Sequence, residues 1–173
     1  ITNTRKGIED FFFGFIIGGV SAVINSFLFN KRTKITKVKE MKEKRRDINF
    51  LMTLSLMAII TFLGFFILKF NSFVSTILAF IIPIILIYTK RKDLIKNSIL
   101  SGLFTVITAV IVYHLLTLIN PGWIDAFWYF EFFDKIIVLG IPLEEIIWFF
   151  LAGAFIGPLY EYWKEGKLIN IKN

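Results

Sequence analysis

The chain has 173 residues, 56% of them hydrophobic and only 19% charged, with a mean hydropathy of +0.71. A soluble domain of this length cannot bury so much apolar side chain, so a medium other than water must solvate much of its surface. The absence of Cys removes disulfides, thiolate nucleophiles and Cys-ligated metals, and a single His excludes a His-cluster metal site within one chain. A formal charge of +7 can signal nucleic acid, but the Lys and Arg residues fall between apolar segments instead of along an aromatic-bearing stripe. Neither a metal, a cofactor nor a nucleic-acid partner is therefore expected.

The opening Ile1-Thr2-Asn3-Thr4-Arg5-Lys6 has no Met and lacks the layout of a signal peptide, so the chain is expected to be a fragment of something longer. Five apolar stretches follow, at roughly 8–30, 50–70, 73–89, 97–119 and 142–162, each near the ~20 residues that a helix needs to cross a bilayer. Lipid offers the backbone no water, so these predict helices, and Gly18, Gly19 and Pro83 are tolerable where neighbours pack. Only Asn71-Ser72 separates the second and third, which predicts a tight helical hairpin; Pro83 is expected to kink the third. The fold class is an all-α, multi-pass transmembrane bundle of about five helices.

The loops agree with five crossings. Nine basic residues occupy 31–49, four more (Lys90, Arg91, Lys92, Lys96) the third-to-fourth turn, and Lys164, Lys167 and Lys172 the tail, which places sixteen of the 20 on one side. The positive-inside rule then puts the N-terminus outside and the C-terminus in the cytoplasm of a cell-membrane protein. The 31–49 run is explained by an ordinary solvated loop, with weak attraction to anionic lipid as the alternative. On the outer side Asn120-Pro121-Gly122-Trp123 is a turn, and Trp128 belongs to an aromatic-rich stretch that is either an interfacial belt or a lid over an apolar pocket.

Shifted by 135 residues, the first span overlays the fifth: Ile8-Glu9-Asp10 falls on Leu143-Glu144-Glu145, Phe15 on Phe150 and Gly18 on Gly153. Both spans cross in the same direction, which predicts parallel repeats about an axis along the membrane normal, with both acidic pairs near the outer face. Ionised acids are costly at this depth and polar side chains there face the bundle interior, which gives the pairs a functional reading. Capping is the competing one, because Glu144 and Glu145 follow Pro142 and a helix N-terminus stabilises negative charge. A carboxyl among Phe and Trp can act as a proton donor, and aromatic faces can stabilise a carbocation. That combination suits proton-initiated cyclisation or hydration of a polyene. His114, beside Tyr113 in the fourth span, is either a packed His bonded to a carbonyl or a proton relay.

The segment Gly140-Ile141-Pro142-Leu143-Glu144-Glu145-Ile146-Ile147-Trp148-Phe149-Phe150 resembles the Pro-x-Glu-Glu signature of the membrane lycopene cyclase domain family. The resemblance runs from about 75 to 165 through Asn120-Pro121 and Pro158-Leu159-Tyr160-Glu161, and Gly7-Ile8-Glu9-Asp10-Phe11-Phe12-Phe13-Gly14 resembles the end of a first copy. Two places depart from the family pattern: Tyr113-His114 stands where Trp-Asp is frequent, and Gly7 where Pro is expected.

The resemblance implies that residues 1–30 are the last helix of a truncated first repeat, 31–72 a basic loop and linker helix, 73–165 a three-helix second repeat and 166–173 a cytoplasmic tail. It implies acid-catalysed cyclisation of an acyclic carotenoid end group without net redox, with Glu144, Glu145, Glu9 and Asp10 as the acidic groups. Trp148, Phe149, Phe12, Phe13, Trp128 and His114 would line the substrate's path. Membrane lipid, the hydrophobic substrate and a homo- or hetero-oligomer are the expected partners. A hydratase of the same scaffold and a non-enzymatic membrane subunit are the alternatives. A prenyltransferase is disfavoured, because Asp125, Glu131 and Asp134 are too loosely spaced to hold Mg²⁺ on a diphosphate.

Overall fold

The computed structural model describes residues 8–35, 40–128, 132–133 and 135–170. Helix α1 (Ile8–Leu28) leads to strand β1 (Lys31–Lys34), and α2 (Glu40–Phe62) ends in a widened π-helical turn at Leu63–Ile67. After α3 (Ser72–Lys90) and a 3₁₀ turn come α4 (Ile95–Ile119), the short α5 (Trp123–Phe127) and a two-residue hairpin, β2 (Ile137–Val138) with β3 (Ile141–Pro142). The chain closes with α6 (Leu143–Ile156), α7 (Leu159–Lys164) and β4 (Lys167–Asn170). Among the described residues four helical runs are long and apolar enough to cross a bilayer: 42–67, 72–90, 92–119 and 143–164. Helix α1 is a shorter apolar helix beside them, so the expected all-α membrane bundle is the fold.

The second and third spans form the predicted hairpin. The π turn is closed by Leu68 N–H donating to the Leu63 carbonyl at 2.9 Å, and Asn71 caps α3 by accepting from the Val74 N–H at 2.8 Å. Outward faces are apolar, as lipid contact requires: Phe15 is 73% exposed, Met52 64% and Phe66 65%.

Small residues set the centre of the bundle. Gly153 and Gly157 stand one turn apart on the fifth span and face Ser101 and Thr105 of α4, while Gly102 faces the backbone of Phe150. A Cβ at Gly102 would lie 2.7 Å from the Phe150 carbonyl oxygen, and one at Gly153 would lie 2.8 Å from that of Ser101. Small-residue seams allow this approach in membranes, where dispersion and interhelical hydrogen bonds replace the hydrophobic effect as the driving force. Ser98 Oγ donates to the Ala154 carbonyl at 2.5 Å, and Ser21 Oγ of α1 meets Thr105 Oγ1 at 3.1 Å, both buried. Tyr113 of α4 stands opposite Glu145, whereas Ser98 stands opposite Ala154, so α4 and α6 are antiparallel. Helix α1 passes Phe149 at Phe13 and Thr105 at Ser21, so it too opposes α4 and runs parallel to α6.

The basic end holds what hydropathy does not signal. Helix α2 begins ten residues before the expected apolar start, because its polar first turns are held by α7: Trp163 Nε1 donates to Asp47 at 2.7 Å and the Trp163 ring stacks on Phe50 at 4.8 Å. The tail pairs antiparallel with the loop after α1, Thr33 lying opposite Leu168. The fifth span is broken at Gly157-Pro158, where Pro removes a backbone donor and α7 starts afresh.

Substituting Gly153 with Val should destabilise the protein by about 1–3 kcal/mol, because the added carbons have no room against Ser101 and Thr105. Gly18→Ala, with nothing within 4 Å of the added carbon, should change stability by less than ~0.5 kcal/mol. Unfolding in mixed detergent micelles measures both.

Candidate functional site

The fifth span is aimed by the hairpin that precedes it. Leu139 (φ 52°) and Gly140 (φ 73°) form its left-handed turn, a conformation that favours Gly at the second position. The Leu143 N–H returns to the Ile136 carbonyl at 2.9 Å, which fixes where α6 starts. Glu144 and Glu145 therefore occupy its first turn. Neighbouring helix positions diverge by about 100°, so the two carboxyl groups point to different surroundings.

Glu144 is 5% exposed, and its Oε1 accepts the backbone N–H groups of Phe132 (2.5 Å) and Phe133 (2.8 Å). It pins the aromatic segment after α5 onto the helix start, and Phe132 and Phe133 in turn pack on Phe73 of α3 at 5.6 and 5.9 Å. Glu145 is half-buried and turns towards α4, where Tyr113 donates its hydroxyl to Oε2 at 3.0 Å. The Tyr113 ring is locked between Trp123 (5.1 Å) and the edge of Phe149 (6.2 Å), so the hydroxyl has a fixed aim. Around this pair lie Ala109, Ile141 and Phe149, all buried, with Ile17, Val110 and Ile146 packed against them. Among the described residues, the Glu145 carboxyl group thus sits in an apolar, aromatic-walled site with the Tyr113 hydroxyl as its donor.

The aromatic wall extends across helices. Trp148 stacks on Phe13 of α1 at 6.3 Å and meets Phe80 of α3 and Phe149 edge-on at 6.2 and 5.3 Å. Phe12 and Phe13 of α1 are about half exposed. The backbone of Glu9 and Asp10 lies in the first turn of α1, while their side chains lie outside the described residues. The Trp128 indole N–H is buried without a hydrogen-bond partner among the described residues. His114 has no bond to Glu144 or Glu145: its Nδ1 lies 2.8 Å from the Val110 carbonyl, and its ring lines a cavity of about 250 Å³ with Thr117, Gly122, Asp125 and Gly140. Trp123 is the shared wall, tilted against the Tyr113 ring on one side and lining the His114 cavity on the other.

Of the residues that sequence reasoning singled out, the structure brings Glu145, Trp148, Phe149 and Phe13 into one neighbourhood and turns Glu144 to the 132–133 backbone. Sequence reasoning did not assign Tyr113, Trp123 or Phe80 to the site. A Tyr one residue before a His in an apolar span gives no sign of which helix it faces; that depends on the register of α4 against α6.

Residues 71–163, more than half of the chain, match a protein-family model described as lycopene cyclase. Neither a curated protein nor a solved structure matches the chain.

Replacing Glu144 with Ala should release the 132–133 backbone, since a hydrogen bond to a charged group contributes about 1.5–3 kcal/mol. Amide exchange at Phe132 and Phe133 should quicken at least tenfold, with the amides of α4 unchanged; unaltered exchange would contradict the clamp.

Proposed function

From the premise that this chain belongs to the lycopene cyclase family, we propose that it closes a ring at the end of an acyclic carotenoid, with Glu145 as the proton donor. The observation that carries this is the Tyr113 hydroxyl on Glu145 Oε2 inside an aromatic-walled, apolar site. Tyr113 occupies one carboxyl oxygen, which leaves Oε1 to carry the proton and present it to the substrate. Proton transfer from a positioned side chain is general-acid catalysis, and its efficiency depends on that geometry.

In the first step the Glu145 O–H adds its proton to the terminal carbon–carbon double bond, leaving a carboxylate and a tertiary carbocation. The faces of Trp148, Phe149 and Phe13 provide cation–π stabilisation for the positive charge, worth ~2 kcal/mol or more where water is excluded. Attack by a neighbouring double bond of the same chain forms the ring bond and moves the cation into the ring. Loss of a ring proton to the carboxylate restores the acid, so the product is an isomer and no electrons are exchanged. Tyr113 is a positioning residue in this scheme, and Glu144 holds the aromatic cover in place.

Two contacts support the internal repeat. Phe13 stacks on Trp148 and Thr33 lies opposite Leu168, and each pair is separated by the same 135 residues that align the two acidic doublets. Positions that meet their own counterparts are what a two-fold axis between α1 and the fifth span produces. Glu9 and Asp10 come three to four residues before Phe13, as Glu144 and Glu145 do before Trp148, so both doublets belong at the same level. In this reading that level is the outer face of the cell membrane and the basic end is cytoplasmic.

Expression of the protein in lycopene-producing cells should yield a pigment of unchanged mass and altered retention. Glu145→Gln should abolish it, Tyr113→Phe should lower it roughly tenfold to a hundredfold, and Glu144→Gln, whose amide oxygen still accepts N–H groups, should retain most of it. A product heavier by one water would favour hydration, and an unchanged pigment profile with folded protein would refute the enzymatic reading.

A further inference from the structure

The end of the bundle opposite Glu145 carries a cleft of about 310 Å³ where α2, the α3–α4 turn and the α7–β4 turn converge. Arg46, Lys90, Arg91 and Lys167 line it, against a single carboxylate, Glu165. Arg91 is the fixed frame: Nε and Nη2 grip Asp93 at 2.8 and 2.7 Å, and Nη1 and Nη2 donate to the Glu161 and Gly166 carbonyls at 3.2 and 2.9 Å. Arg46, 7% exposed, is held by Glu165 at 3.2 Å. Among the described residues neither Lys90 nor Lys167 forms an ion pair within 4.0 Å, although Asp93 is near enough to Lys167 to feel its charge. Lys167 also lines a neighbouring cavity of about 300 Å³ with Lys31, Lys96 and one acid, Asp93, which Arg91 already grips, so a net positive charge continues along this edge.

The cleft lies where the apolar runs stop. The third span ends at Lys90 and the fourth begins at Lys92, on either side of Arg91. A ligand here meets cations at the water boundary, where a lipid headgroup lies. Basic pockets between membrane helices recognise the phosphates of lipid headgroups, and each nearby Lys or Arg adds to the attraction. Lys supplies a compact charge with three donors and suits a phosphate oxygen.

We propose that this cleft binds a phosphate group, that of an anionic phospholipid, with Lys90 and Lys167 as its contacts on a frame made by Arg91 and Arg46. Solvated lysines that interact with nothing would leave the same charges in place, so the test must separate a site from bulk charge. The full chain in detergent is titrated with phosphatidylglycerol or phosphatidylcholine, and retained lipid is counted by native mass spectrometry. Phosphatidylglycerol should bind at least tenfold better than phosphatidylcholine. Lys90→Gln with Lys167→Gln should cut that binding at least tenfold, whereas Lys42→Gln with Lys44→Gln, the same loss of charge from an exposed stretch of α2, should change it less than twofold. Lys90→Arg with Lys167→Arg should restore it, which excludes misfolding as the cause. Competition by inorganic phosphate separates the two sources. Displacement means that free phosphate suffices; failure to displace means that the headgroup needs its acyl chains. Equal binding of the two lipids, or equal losses in the two Gln pairs, overturns the proposal.

Discussion

Where α4 crosses the fifth span, a side chain at Gly102 or Gly153 would collide with backbone, and this closeness sets most of what surrounds it. Two helices held so near have one register that fits, and the buried bond from Ser98 to the Ala154 carbonyl fixes it at one end. At the other end the same register places Tyr113 opposite Glu145. In lipid no hydrophobic force chooses between registers, so the choice rests on van der Waals fit and on polar bonds that contribute about 1 kcal/mol each. The position of the candidate acid is thus a consequence of small residues about two helical turns away.

The two adjacent acids illustrate how one helix turn can divide labour. Glu144 is satisfied by backbone N–H groups and is spent on structure, while Glu145 meets one hydroxyl and an aromatic surround. Doublets of identical chemistry therefore need not be interchangeable. The opposite end of the bundle is organised by charge instead: Arg91 ties the α3–α4 turn to α7 and the turn that follows it, and Arg46 pairs α2 with Glu165. Apolar packing joins the two ends through Phe80, Ile84 and Phe155, between α3 and α6.

Much of this was legible in the residues. Run length and hydropathy are properties of each segment alone, so the spans, the Asn71-Ser72 hairpin and the single-sided basic loops could be read directly. The acids at 144 and 145 stood out because charge at the start of an apolar run is costly and therefore conspicuous. What could not be read is which residue faces which helix. Tyr113 and Phe80 are ordinary members of apolar stretches, and Trp123 reads as part of a turn, until helix packing sets the Tyr113 hydroxyl on Glu145, Trp123 against the Tyr113 ring and Phe80 against Trp148. The β1–β4 pairing was equally hidden, since Lys31–Lys34 and Lys167–Asn170 are polar segments whose strand character comes only from meeting each other. The early start of α2 depends likewise on Trp163 reaching Asp47 from 116 residues away.

If Glu145 initiates ring closure, the hydrogen that enters the product comes from a carboxyl group that exchanges with water. The reaction run by the reconstituted protein in heavy water should therefore give a cyclised carotenoid carrying one deuterium for every ring formed, located by mass spectrometry in the ring. A cyclised product without deuterium would mean that the hydrogen moved within the substrate, and the acid at Glu145 would have no part in the chemistry.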